Sequence, residues 1–150
     1  MANSYHPRSQ PTMYFIGVTT GKSSIMKVFP KWADYLGINA VIEGFDFPQH
    51  DVPELYQEVV SFIKNDPQSL GALVTTHKLD LLKATRDMFE MLDPYAEVLG
   101  EISSISKRGD QLCGHAKDPI TSGTSLGRIV ADGSRRKTGR ELRALSVLVP

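Results

Sequence analysis

Leu70-Gly71-Ala72-Leu73-Val74-Thr75-Thr76-His77-Lys78 is the stretch that decides how this chain folds. Its first five residues are apolar or small without alternation, the pattern of a strand covered on both faces and therefore central in a sheet. The four that follow deliver two hydroxyls, an imidazole and an amine to one strand end, where a sheet hands its side chains to a cleft. A second short strand ends in Gly114-His115-Ala116-Lys117-Asp118-Pro119, so Asp118 could face Lys78 as a proton-transfer partner.

Working outward from that strand, the periodicity switches regularly between the two types. Met13 to Val18 reads as a strand running into the Gly/Thr/Ser loop Gly17 to Ser24. Met26, Phe29, Ala33 and Leu36 then recur at helical spacing, with Pro30 expected to divide the segment into a turn and a main helix. Ala40 to Phe47 is the next strand, stopped by Pro48. Asp51, Pro53 and Glu54 suggest a capped helix start, followed by the apolar face Leu55, Val59, Phe62 and Ile63. After the central strand, Asp80 to Leu92 reads as a helix and Tyr95 to Leu99 as a short helical piece. Glu101 to Lys107 and Gln111 to Ala116 flank Arg108-Gly109-Asp110 as a hairpin. Strands alternating with helices predict a three-layer α/β domain with a mainly parallel sheet and a C-terminal β-hairpin.

The 150 residues suffice for one such domain and are short for two. A formal charge of zero gives no general pull toward nucleic acid or an anionic membrane, and 41% hydrophobic residues suit a folded core. The single cysteine, Cys113, cannot close an internal disulfide, so a reducing cytoplasm is the expected compartment. Residues 1–12 lack a signal-type apolar core and read as a flexible leader. From Gly127 to Arg143 there are six Lys/Arg against two Asp/Glu, and residues 124–150 read as a weakly ordered basic tail or the start of a truncated further domain. The apolar Leu142 to Val149 looks like a strand beginning.

The chemistry on offer is limited. A lysine held beside an aspartate can exchange a proton with an alcohol. On spacing alone the plainer alternative, a solvated Lys78 at a helix start and Asp118 capping a turn, is the stronger one. His77 reads as structural. His50, His77, His115 and Cys113 match no zinc spacing, so no metal is expected. The loop Thr19-Thr20-Gly21-Lys22-Ser23-Ser24 shares Gly-Lys-Ser with phosphate-binding loops but has Ile16 where their first glycine belongs, so its hydroxyls suit a polyol better. Ser103, Ser104 and Ser106 alternate with isoleucines, and no Gly-x-Ser-x-Gly elbow supports hydrolase chemistry.

Taken in order, five segments resemble the substrate-binding domain of the shikimate and quinate dehydrogenase family over roughly Tyr14 to Gly123. Gly17 to Met26 is similar to the loop that binds substrate through two serines; Ser23 keeps the first, and Ile25 replaces the second. Gly37-Ile38-Asn39 resembles the Gly-Leu-Asn after the first helix. Leu73 to Lys78 resembles Asn-Val-Thr-x-Pro-x-Lys, one residue shorter and without its proline. Gly100 to Ser104 resembles Gly-Ala-Val-Asn-Thr, and Gly114 to Pro119 resembles Gly-x-Asn-Thr-Asp-Gly. The resemblance implies Lys78 and Asp118 as the catalytic pair and Ser23, Thr75 and Ser103 as substrate ligands. These ordered matches reverse the preference for the plainer reading.

The implied activity is reversible oxidation of a ring hydroxyl on a cyclic polyol carboxylate such as shikimate or quinate, with NADP or NAD as cofactor. That would be a step of the shikimate pathway to the aromatic amino acids. Ile25, Leu73 and Ser103 in place of polar family ligands imply an altered substrate preference. No Gly-x-Gly-x-x-Gly is present, so a complete Rossmann domain is not expected and the isolated chain is expected to be inactive. The expected partner is a small polyol acid, with neither membrane nor nucleic acid and with a homodimer left open. The alternatives are a stand-alone module that binds such an acid without catalysis, and an adaptor working through the basic segment Arg128 to Arg143.

Overall fold

The computed structural model describes residues 5–134, which divide into two units, one reaching to Lys117 and one beginning at Asp118. The expectations for residues 1–4 of the leader and for 135–150 of the tail, including the strand at Leu142 to Val149, lie outside the described residues.

The first unit is built on six strands, β1 (Thr12–Gly17), β2 (Val41–Asp46), β3 (Ser69–Val74), β4 (Met91–Leu92), β5 (Ser104–Arg108) and β6 (Gln111–His115), in the order β2-β1-β3-β5-β6-β4. β1 runs parallel to β2 and β3, β4 runs parallel to β6, and β5 is antiparallel to β3 and β6. The expected α/β architecture and its hairpin are thus present, and β3 is interior as its apolar run requires. Helices cover both faces. Between the strands lie α1 (Ile25–Leu36), α2 (Pro53–Asn65), α3 (Lys78–Thr85) and α4 (Pro94–Leu99).

One face of the sheet carries the core. Tyr14 and Ile16 of β1, Ala72 and Val74 of β3, Ile105 and Leu112 pack against Tyr56, Val59, Val60 and Ile63 of α2 and Leu81 and Leu82 of α3. Burying the five aliphatic side chains that α2 and α3 contribute supplies on the order of 10 kcal/mol of gross stabilisation, which is why both helices hold in place without elaborate caps. Phe15 and Ala33 are buried but stand outside this cluster, as the period of two in β1 and the packing of α1 on β2 require. β3 and β5 approach so closely at Gly71 (φ 116°) that any side chain there would collide with the Ile105 carbonyl. Tyr5, within the expected leader, stacks on Phe62 at 5.3 Å between ring centres, and Arg8 pairs with Glu43.

Three sequence expectations are corrected. Pro30 lies inside a continuous α1, because it is exposed and costs the helix only the one hydrogen bond its own nitrogen cannot make. Asp51 does not cap α2: its carboxylate accepts from the Val52 amide at 2.8 Å, Val52 is the cap residue, and Pro53 opens the helix. The helix expected over Asp80 to Leu92 ends at Thr85, whose hydroxyl bonds back to the Leu81 carbonyl at 2.7 Å. A single 3-10 turn, Arg86–Met88, follows, and Met91–Leu92 is drawn onto β6 as an edge strand. Glu90 secures that pairing, accepting from the Leu112 amide at 2.6 Å and from Lys64. Lys64 first, and then that amide, hold its carboxyl below the usual range.

The second unit is described by α5 (Asp118–Ser134), which runs through Gly123 and Gly127. No helix of the described residues is long and apolar enough to cross a membrane.

Asp93 ends β4 and caps α4, accepting from the Ala96 amide at 2.8 Å and the Ala116 amide at 3.3 Å, with Lys117 at 3.2 Å. Burial pushes its carboxyl up, but the two amides and Lys117 outweigh that and the net shift is downward. A carboxylate with a lowered folded pKa contributes stability above its unfolded value near ~3.9 and loses it as pH falls through the folded value. Asp93→Ala is expected to cost about 1–2 kcal/mol at neutral pH. In urea titrations at falling pH, the gap from wild type should narrow below about pH 4.

Candidate functional site

The chain leaves β1 for β2 on one side and returns across β1 to β3 on the other, so the connections leaving the carboxyl ends of β1 and β3 part there. Such a reversal point in a parallel sheet is where a crevice opens. The last rungs of the ladder hold its walls, with the Thr75 amide donating to the Ile16 carbonyl at 3.0 Å and the Phe47 amide donating to the Gly17 carbonyl at 2.8 Å. The cleft beyond them has a volume of about 260 Å³. It is lined by Phe15, Gly17 and Val18 from β1 and its end, by Thr19, Thr20, Lys22 and Ser23 from the loop that follows, and by Thr75 and Thr76 from the loop after β3.

The loop after β1 is shaped by Asp46. One oxygen of its carboxylate accepts both the Thr20 amide at 2.7 Å and the Thr20 hydroxyl at 2.6 Å, pulling the loop over the end of β2. Thr20 is thereby buried at 5% exposure. Gly44 makes room for it, since any side chain at 44 would strike the Thr20 hydroxyl. Two further amides of the loop are used internally, Lys22 donating to the Thr19 carbonyl at 3.1 Å and Ser23 to the Thr20 carbonyl at 2.9 Å. A phosphate needs such amides turned outward around it. Here three of them, those of Thr20, Lys22 and Ser23, are already engaged, one by a carboxylate, which disfavours an anion nest at this loop.

The loop after β3 is strained. Thr76 has φ 61°, and the His77 amide reaches back to the Thr75 carbonyl, closing a γ-turn of positive φ. A β-branched residue in this region costs about 1–3 kcal/mol and persists only where the surroundings impose it. Here the constraint is His77, buried to 1% exposure, with its ring edge-on to Phe47 and its Nδ1 3.0 Å from the Tyr56 hydroxyl. Its Nε2 is buried without a hydrogen-bond partner. With His77 locked under α2, Thr75 and Thr76 are forced outward and α3 begins at once with Lys78.

Of the residues singled out in the sequence, Ser23 and Thr75 line this cleft together. Lys78 is half-buried at the first position of α3, and its carbonyl accepts from the Ile102 amide at 3.3 Å. Ser103 is not among the lining residues: its hydroxyl accepts from the Lys117 amide at 2.8 Å and lies 3.4 Å from the His115 carbonyl, tying the end of β6 to β5. Asp118 is the first residue of the second unit. Ser106 and His115 meet at 2.8 Å, but Asp93 stands 3.5 Å from His115 with its oxygens engaged by amides and Lys117. That arrangement staples β4, β5 and β6. Sequence reasoning missed Asp46 and the positive φ of Thr76. Asp46 left one signal, a carboxylate between two phenylalanines at a strand end; Thr76 left none.

No protein-family profile matches the chain, and a search of curated proteins returned no match. Solved structures do match. A shikimate dehydrogenase in complex with NADP+ shares 22% identity over 79% of this chain and 39% of its own, with a TM-score of 0.67. Shikimate 5-dehydrogenase from Thermus thermophilus, in complex with NADP(H) and shikimate, shares 18% identity over 79% of this chain and 42% of its own, with a TM-score of 0.61. The ligand-free 5-ketofructose reductase of a Gluconobacter species shares 14% over 80% of this chain and 40% of its own, with a TM-score of 0.61. The chain thus spans about two fifths of the length of these structures, matching the N-terminal part of the dehydrogenases, and the likeness establishes the fold.

Two substitutions probe the cleft walls. Thr76→Gly should raise stability by about 0.5–2 kcal/mol in urea unfolding, because relief of the positive φ exceeds the added entropy of the unfolded glycine. Asp46→Ala should lower it by about 1–2 kcal/mol, since it leaves the buried Thr20 hydroxyl without its acceptor.

Proposed function

We propose that residues 13–123 are the substrate-binding part of a shikimate-dehydrogenase-like oxidoreductase acting on a cyclic polyol carboxylate. The observation that carries the reading is the convergence of Ser23 and Thr75, from loops far apart in sequence, on one cleft lined largely by serine and threonine residues at the β1/β3 reversal. Several neutral donors and acceptors with an apolar floor suit a small ring bearing hydroxyls. Ser23 and Thr75 would each exchange one hydrogen bond with it.

Lys78 is proposed to take the proton of the hydroxyl being oxidised and to return it in the reverse direction, and Asp118 to share that proton. Both roles rest on the ordered motif resemblance. Ser103 is assigned a supporting part, since its hydroxyl is committed to the backbone that leads into Asp118. The reaction is proposed to be NADP-linked, after the two neighbours that bind NADP. The groups assigned here bind and orient the polyol and handle its proton.

Calorimetric titration of shikimate and quinate into the 150-residue chain tests the reading. One of the acids should bind saturably. Ser23→Ala and Thr75→Val should each weaken it about 5–10-fold, the worth of one hydrogen bond of roughly 1 kcal/mol or slightly more. Absence of binding by both acids would remove the proposal.

A further inference from the structure

Among the side chains lining the β1/β3 cleft, Lys22 is the one that carries a charge; the others are hydroxyls or apolar groups. It sits in the 3-10 turn Thr20–Lys22, exposed, beside Ser23. The nearby carboxylate of Asp46 has one oxygen turned to Thr20 and holds the loop shut. α1 begins two residues past Ser23 with no acidic residue in its first turn and Lys27 within it, so the positive end of its dipole is left unopposed on its own helix. Among the lining side chains, the charge a ligand would meet is therefore the Lys22 ammonium.

We infer that Lys22 sets the charge specificity of the cleft, pairing with a single carboxylate on the polyol and discriminating against uncharged polyols and ketoses. The inference rests on the function proposed above and adds to it the group that reads the ligand's charge. A single carboxylate suits this site because the lysine amine needs no nest, while the amides of Thr20, Lys22 and Ser23 are already engaged by Asp46 and by the loop's own carbonyls. The same fold houses shikimate dehydrogenases and a 5-ketofructose reductase, so something other than the fold must separate an acid from a ketose. In this chain Lys22 is placed to do so.

The test compares shikimate with its methyl ester, which keeps the ring and hydroxyls and removes the charge, by calorimetry at low and at physiological salt. The wild-type chain should prefer the acid by about 3–5-fold at low salt, as an exposed ion pair allows, and the preference should shrink as salt is added. Lys22→Met should abolish the preference by weakening the acid alone, and Lys22→Glu should reverse it. Circular dichroism should show all three proteins equally folded, since Lys22 is exposed. If both ligands bind wild type equally, or the preference survives in Lys22→Met, the inference is overturned while the polyol reading stands. If neither ligand binds, that reading falls and the inference with it.

Discussion

The grip of Asp46 on Thr20 is the interaction on which the cleft depends. A carboxylate at the end of an edge strand accepts two hydrogen bonds from one residue of the preceding crossover, and the glycine two positions earlier leaves the space for it. Charge-assisted bonds of this kind are about twice as strong as neutral ones, enough to set the path of a short loop. With the loop drawn over β2, Ser23 and Lys22 reach the crevice from one side while Thr75 reaches it from the other. The same bond consumes an amide that an anion could have used, and so fixes what the loop can hold.

The opposite wall is made differently. It is imposed by burial: His77 enters the apolar space under α2, between Phe47 and Tyr56, and the backbone before it must turn within one residue. Thr76 absorbs that turn at positive φ. The γ-turn at Thr76 lets α3 begin with Lys78 directly after the buried His77. The core gains a ring, and the cleft wall carries the strain.

Much of this was legible from local pattern. The continuous apolar run of residues 70–74 announced an interior strand, and Gly109 announced the hairpin. Ser23 and Thr75 were singled out through the resemblance of their segments to a family's substrate loops, and both line one cleft. The misreadings share a cause, which is that a local preference was outweighed by a partner distant in sequence. Met91 and Leu92 continue a helical period, but β6 and the Glu90 carboxylate claim them for the sheet edge. Pro30 should interrupt a helix, but on the exposed side it removes one bond and no packing. Asp51 has a cap's spacing, but its carboxylate bonds the next amide first.

By itself the sequence determined the class of the fold, the central strand, the two loops that follow it and β1, and the types of groups those loops could offer, because these depend on neighbours within a few residues. Only the tertiary structure decided that Ser23 and Thr75 share a cleft and that Lys22 is its charge. It also decided that Ser103 spends its hydroxyl on the backbone and that a buried histidine forces Thr76 outward. Those outcomes follow from the reversal of strand order between β1 and β3 and from side chains competing for one interior. That competition is settled among residues distant in sequence, and no local window of the chain contains it.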